Sequence, residues 1–309
     1  MAFNKILVPL DGSTLAEQAI PFARAIARDD GTLVYAQIVP KADAIHGLTG
    51  GTVATAGDVG ALFNQTATTD LQNAATRWTS IAPNYEIAIA AGDPAEQILQ
   101  MALDRGADMI VIASHGRGAL GRWTFGSVAD RLARSSTVPV LIVRPKDADP
   151  EHAVIPEIAR ILLPTDGSAL SETATTEAAL LAQRLGRPVV LVRAIFPEAE
   201  LAPTAGFDAV YAPEVYADLA KSLEQEAKTG LDRVADQLRE QGVTVEISLL
   251  SGPAAQTIGE AARPDDLIVM TSHGRSGFRR WLIGSVAEKL VRTAPCPVVL
   301  VRPAEQAAQ

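Results

Sequence analysis

The sequence is short of cysteine, of positive charge and of long apolar runs, and each shortage removes a class of protein. A single cysteine, Cys296, among 309 residues has no partner for an intramolecular disulfide, which suits a reducing compartment. It sits between Pro295 and Pro297 at the head of an apolar strand and reads as a buried, inert thiol. Lysine and arginine number 27 against 36 aspartates and glutamates, a net charge of -9. That balance opposes a general grip on nucleic acid, which needs phosphate-neutralising cations. It leaves room for a small anionic ligand, because backbone N–H groups hold phosphate without net positive charge. No apolar stretch reaches the roughly 18 residues of a membrane span. The opening run MAFNKILVPLDG is too short in apolar residues for a signal peptide, so a soluble, cytoplasmic protein is expected. The 4 histidines show no H-x3-H spacing and the lone cysteine rules out C-x2-C, so no metal-ligand pattern is present. Also missing are the Walker G-x4-G-K-[ST] loop and the Ser-Gly-Gly-x-Asp-Ser and His-x-Gly-His loops of nucleotide-cleaving enzymes.

What is present is ordinary globular composition, with 48% hydrophobic and 20% charged residues. The length suits two domains of roughly 150 residues, and the sequence repeats accordingly. ASHGRGALGRWTFGSVADRLARSSTVPVLIVRP, from Ala113 to Pro145, matches TSHGRSGFRRWLIGSVAEKLVRTAPCPVVLVRP, from Thr271 to Pro303, at about half its positions without a gap. KILVPLDGS at Lys5–Ser13 mirrors RILLPTDGS at Arg160–Ser168 in the same order. Polar, Pro-bearing Lys146–Glu157 reads as the linker between domains at 1–147 and 158–309.

Each half alternates short apolar runs with helical stretches. In the first half the strands are expected at Ile6–Leu10, Leu33–Val39, Tyr85–Ala90, Met109–Ala113 and Val138–Val143. Helices are expected at Leu15–Arg28, Ala61–Ile81, Pro94–Arg105 and Gly126–Ser135. The second half repeats the strands at Ile161–Thr165, Val189–Ile195, Val243–Leu250, Leu267–Thr271 and Val298–Val301. Continuous apolar runs suit parallel strands covered on both faces. The fold class is therefore α/β, with two tandem, doubly wound, Rossmann-like domains of five parallel strands each. Lys41–Gly60 and Glu198–Tyr211, rich in Gly, Ala, Thr and Pro, read as long loops.

Ligands of open parallel sheets collect beyond the carboxyl ends of the strands, where strand order reverses. Asp11-Gly12-Ser13 and Asp166-Gly167-Ser168 follow strand one. Two readings stay open there. The aspartate turns the chain while Ser13 or Ser168 caps a helix, with Thr14-x-x-Glu17 fitting a capping box in the first half. Alternatively, the carboxylate accepts hydrogen bonds from a ribose or base. After strand four, Ser114-His115-Gly116 and Gly126-Ser127 bracket nine residues, as do Ser272-His273-Gly274 and Gly284-Ser285. Glycine beside a helix N-terminus lets backbone N–H groups approach an anion. His115 and His273 read as turn residues, Arg117 and Arg275 as exposed, and Trp123 and Trp281 as packing anchors of this loop.

Both halves resemble universal stress protein domains, whose ATP-binding members carry Gly-x2-Gly-x9-Gly-(Ser/Thr) after the fourth strand. The resemblance covers nearly the whole chain, including the Pro-x-Asp end of strand one and the final Pro-Val-x-x-Val strand. It implies that Asp11 and Asp166 lie by the adenosine and that Ile38 and Ile195 offer backbone groups to adenine. It further implies that Gly116, Gly126 and Ser127, with Gly274, Gly284 and Ser285, hold ribose and phosphates. The family's first glycine is Ala113 in one half and Thr271 in the other, and Thr271 adds a branched Cβ where the family keeps a small residue. The resemblance implies ATP, with Mg2+, at one site per domain in a stress-response regulatory protein. It also implies domain pairing through the last strand, hence a homodimer and a regulatory protein partner. A slow ATPase or related enzyme, and a nucleotide-free scaffold, are the alternatives.

Overall fold

The computed structural model describes residues 3–41, 56–114, 126–145, 154–195, 213–272 and 283–302. The chain divides into two compact units, Met1–Glu157 and Ile158–Gln309.

In the first unit the strands are β1 (Lys5–Pro9), β2 (Thr32–Val39), β3 (Tyr85–Ala91), β4 (Met109–Ala113) and β5 (Val140–Val143). Their order is β3-β2-β1-β4-β5, and every pairing is parallel. The second unit repeats the order with β6 (Arg160–Pro164), β7 (Val189–Ile195), β8 (Val245–Ser251), β9 (Asp266–Thr271) and β10 (Val298–Val301), as β8-β7-β6-β9-β10. Its pairings are parallel too. The doubly wound α/β expectation holds in each unit.

The last two strands of each unit are buried along their length: β4, β5, β9 and β10 have only buried residues. Burial on both faces is what a continuous Val, Ile and Leu run requires. In the first unit the helices are α1 (Thr14–Glu17), α2 (Ala19–Ala27), α3 (Ala56–Trp78), α4 (Pro94–Asp104) and α5 (Ser127–Ser135). The second unit has α6 (Ala169–Glu172), α7 (Ala174–Leu185), α8 (Pro213–Glu240), α9 (Ala254–Ala261) and α10 (Ser285–Thr293). Right-handed crossovers put α2 and α3 on one face of the first sheet and α4 and α5 on the other. α2 packs on β1 and β4, α3 on β2 and β3, and α4 against α5.

Three local expectations are corrected. The helix expected over Leu15–Arg28 is broken at Gln18 into α1 and α2. Pro21 falls in the first turn of α2, where its missing N–H costs nothing. The same break recurs at Thr173, where Thr176 stands in the place of Pro21, so proline accommodates the break and does not cause it. Second, the capping box at Thr14 is not formed. Ser13 is the N-cap, its side chain accepting from Ala16 N at 3.2 Å. Glu17 instead turns inward, is 2% exposed, and receives Trp78 Nε1 at 2.9 Å and the Arg77 guanidinium. Third, Ala56–Gly60 of the expected loop belongs to α3, while 42–55 and 196–212 lie outside the described residues.

The Asp-Gly turns after β1 and β6 need glycine. Gly12 and Gly167 have φ of +80° and +79°, a region that disfavours any Cβ. A Cβ on Gly167 would lie 2.7 Å from Arg193 Nη1, and one on Gly230 in mid-α8 would lie 3.3 Å from the same atom. The second unit thus spends two glycines on seating Arg193, where the first has Gln37.

Candidate functional site: a cavity at the switch point of each sheet

Strand order reverses between β1 and β4, and a cavity of about 510 Å³ opens there in the first unit. Leu10, Ile38, Ile98 and Ile112 give it apolar walls, and Asp11, Ser114, Gly126 and Ser127 give it polar ones. A volume of this size lies within the range of about 300–1,000 Å³ typical of ligand pockets.

Asp11 lines the cavity and also shapes the turn. Its Oδ1 accepts from Ser13 N at 3.0 Å and from Ser13 Oγ at 2.5 Å. Both readings of this aspartate are therefore compatible with one position. Asp166 repeats the arrangement with Ser168 N at 2.9 Å and Oγ at 2.6 Å.

Ala113 is the last residue of β4, 4% exposed, and lines the cavity beside Ser114. Ser114 is 1% exposed, and its Oγ has no hydrogen-bond partner among the described residues. A hydroxyl left so is costly unless something else satisfies it, about 1–3 kcal/mol. Across the cavity, Gly126 is the N-cap of α5 and supplies no side-chain cap, so the first-turn N–H groups face the cavity uncapped. Gly126 has φ -64° and Gly284 φ -61°, values any residue adopts. Neither position is glycine for the sake of its backbone. A bare N-cap where Ser, Thr, Asp or Asn is the rule keeps the helix end open to an outside acceptor.

Asp93, the N-cap of α4, accepts from Glu96 N at 2.9 Å and takes Arg131 Nη1 of α5 on both carboxylate oxygens at 2.7 Å. This ties together the two helices that wall the cavity. The Glu96 N–H first, and then the Arg131 guanidinium, hold the Asp93 carboxyl below the usual aspartate range. Sequence reasoning missed this pair and Ser114, although Asp93-Pro94 is a legible helix start.

The second unit has a cavity at the same place of about 220 Å³, with Asp166, Thr271, Gly284 and Ser285 on its walls. Ile195 does not line it. The sheet register sets Val39 and Ile195 in equivalent positions, their carbonyls accepting from Gly92 N and Gly252 N at 3.0 and 2.8 Å. Ala194 therefore matches Ile38, and it is Ala194 that faces the second cavity. Gly284 N donates to the Ser272 carbonyl at 2.8 Å, whereas Gly126 makes no such bond to Ser114.

Gly116 and Gly274 lie outside the described residues, as do His115, Arg117, Trp123, His273, Arg275 and Trp281. Among the described residues no group of three or more His, Cys, Asp and Glu side chains could hold a metal, so the expected Mg2+ gains no support from the protein side. No helix among them is long and apolar enough to cross a membrane.

A family model described as "Universal stress protein family" matches residues 2–144 and again 157–302. Universal stress protein Rv2005c of Mycobacterium tuberculosis is 33% identical over 201 residues, covering 63% of this chain and 62% of that protein. Universal stress protein Rv2623 of the same organism is 30% identical over 222 residues, covering 70% and 67%. Among solved structures, a universal stress protein from Archaeoglobus fulgidus aligns with a TM-score of 0.63 over 98% of each chain at 16% identity, a likeness of fold. The chain aligns with only about 62% of the length of several curated relatives. With two family matches in sequence and the family's fold in both units, the chain belongs to the universal stress protein family and carries two such domains in tandem.

Proposed function

We propose that the protein is an ATP-binding stress-response regulator that holds nucleotide at the switch-point cavity of its first domain, taken as residues 1–147. The observation that carries this reading is the uncapped helix end at Gly126, which opens on a 510 Å³ cavity lined also by Asp11 and Ser114. The apolar walls at Leu10, Ile38 and Ile98 suit a base, and Asp11 suits hydroxyls of a ribose. The first-turn N–H groups of α5 suit phosphate, with the helix dipole adding about 0.3–1 kcal/mol per charge. The family resemblance of the Ser114–Ser127 loop supports the same assignment.

ATP brings a bound anion and a reporter of energy state, and the chain's residues grip it with little or slow hydrolysis. In this reading the protein works in the cytoplasm as a homodimer and reports its nucleotide state to a protein partner. The test is to denature the purified protein and separate the released supernatant by ion exchange. An adenine nucleotide is expected. Its absence, together with a blank calorimetric titration at millimolar ATP, contradicts the reading.

A further inference from the structure

We infer that the two domains are divided in role: the first cavity takes ATP and the second, in the conformation described, is closed to it. This rests on the nucleotide reading above and goes further, because the duplicated motif alone implies two equal sites.

Three independent observations separate the cavities. The first holds about 510 Å³ and the second about 220 Å³, below the roughly 300 Å³ at which ligand pockets begin. The second also has one N–H at its helix start occupied. Gly284 N, at the entrance of α10, is bonded to the Ser272 carbonyl at 2.8 Å, which ties the end of β9 directly to the helix start. In the first domain the matching N–H makes no backbone bond among the described residues. Finally, the walls differ. Thr271 stands where Ala113 does, 5% exposed, placing a branched side chain at the strand end. Pro253 takes the position of Asp93, so the clamp that Asp93 and Arg131 form between the first domain's wall helices has no aspartate to build on.

The smaller volume, the engaged Gly284 N–H and the branched Thr271 act in the same direction. A phosphate entering the second domain meets a Gly284 N–H already engaged with a carbonyl, where in the first the Gly126 N–H is open. Ser114, whose Oγ has no hydrogen-bond partner among the described residues, lines the first cavity.

The full-length protein should be dialysed to equilibrium against radiolabelled ATP up to millimolar concentration, alongside its Gly126→Val variant. The expected result is one ATP per chain for the wild type, and less than one-tenth of that for Gly126→Val with an unchanged circular dichroism spectrum. Two ATP per chain, or a Gly126→Val protein retaining half of the bound nucleotide, overturns the division of roles while leaving the nucleotide reading intact. No ATP bound to the wild type overturns the nucleotide reading and this inference with it. Should Gly126→Val not fold, the wild-type count alone decides between one site and two.

Discussion

The Trp78 indole donates to Glu17 at 2.9 Å, and Glu17 is 2% exposed. A carboxylate in that position has left water and depends on its partners. Arg77 supplies the second, its guanidinium basicity raised chiefly by the hydrogen bond to Glu17. Removing the acceptor of a buried donor costs more than the hydrogen bond contributes net. Glu17→Ala should therefore lower the stability of the first domain by about 1–3 kcal/mol, since it orphans the buried Trp78 N–H, while Arg77, 45% exposed, regains water. Urea unfolding followed by tryptophan fluorescence measures it. A loss below about 0.5 kcal/mol would show that the contact carries no weight.

Lys5 Nζ reaches Glu86 Oε1 at 3.0 Å and Arg105 reaches Oε2 at 3.2 Å, joining β1 and the end of α4 to β3. The hydrogen bond from Lys5, and then the one from Arg105, hold the Glu86 carboxyl below the usual glutamate range of about 4.3. A depressed folded-state value means the stabilisation is present above the unfolded pKa and is lost as pH falls through the folded one. Glu86 is 38% exposed, so screening keeps the effect to at most about 1 kcal/mol. Glu86→Gln should lower stability at pH 7 and low salt, with the difference from wild type closing as pH drops below about 4. A pH-independent difference would assign the effect to packing.

Asp11 both shapes a turn and faces the cavity, and one substitution separates the two. Asn keeps an oxygen that accepts from Ser13 N, while the negative charge is lost. Asp11→Asn should leave the unfolding midpoint within a degree or so and weaken ATP binding about tenfold or more. That is the loss of one hydrogen bond involving a charged group, about 1.5–3 kcal/mol. Calorimetry on both proteins provides the comparison. Unchanged affinity would confine Asp11 to its turn.

Much of this was legible in the sequence because the signals are local. Val189–Ile195 and Val298–Val301 read as strands from their apolar runs alone and form β7 and β10 with those bounds. The Gly-Ser pair at 126–127 marked a helix start correctly for the same reason, since a cap is a matter of adjacent residues. What was illegible depends on distance or on register. Glu17 looked like part of a capping box because Trp78, about sixty residues away, cannot be seen from Thr14. Ile195 was matched to Ile38 by position at the end of strand two, but the matched carbonyls of Val39 and Ile195 put Ala194 in that place. The openness of Gly126 against the closure of Gly284 follows from a single carbonyl's position, and the two motifs are alike in sequence.

The most direct measurement is a crystal structure of the protein grown with ATP. The account predicts nucleotide density in the first domain, with the base along Leu10 and Ile38, the ribose at Asp11 and the phosphates at Gly126 and Ser127. Density seated elsewhere, or an empty first cavity in crystals grown at millimolar ATP, would contradict it.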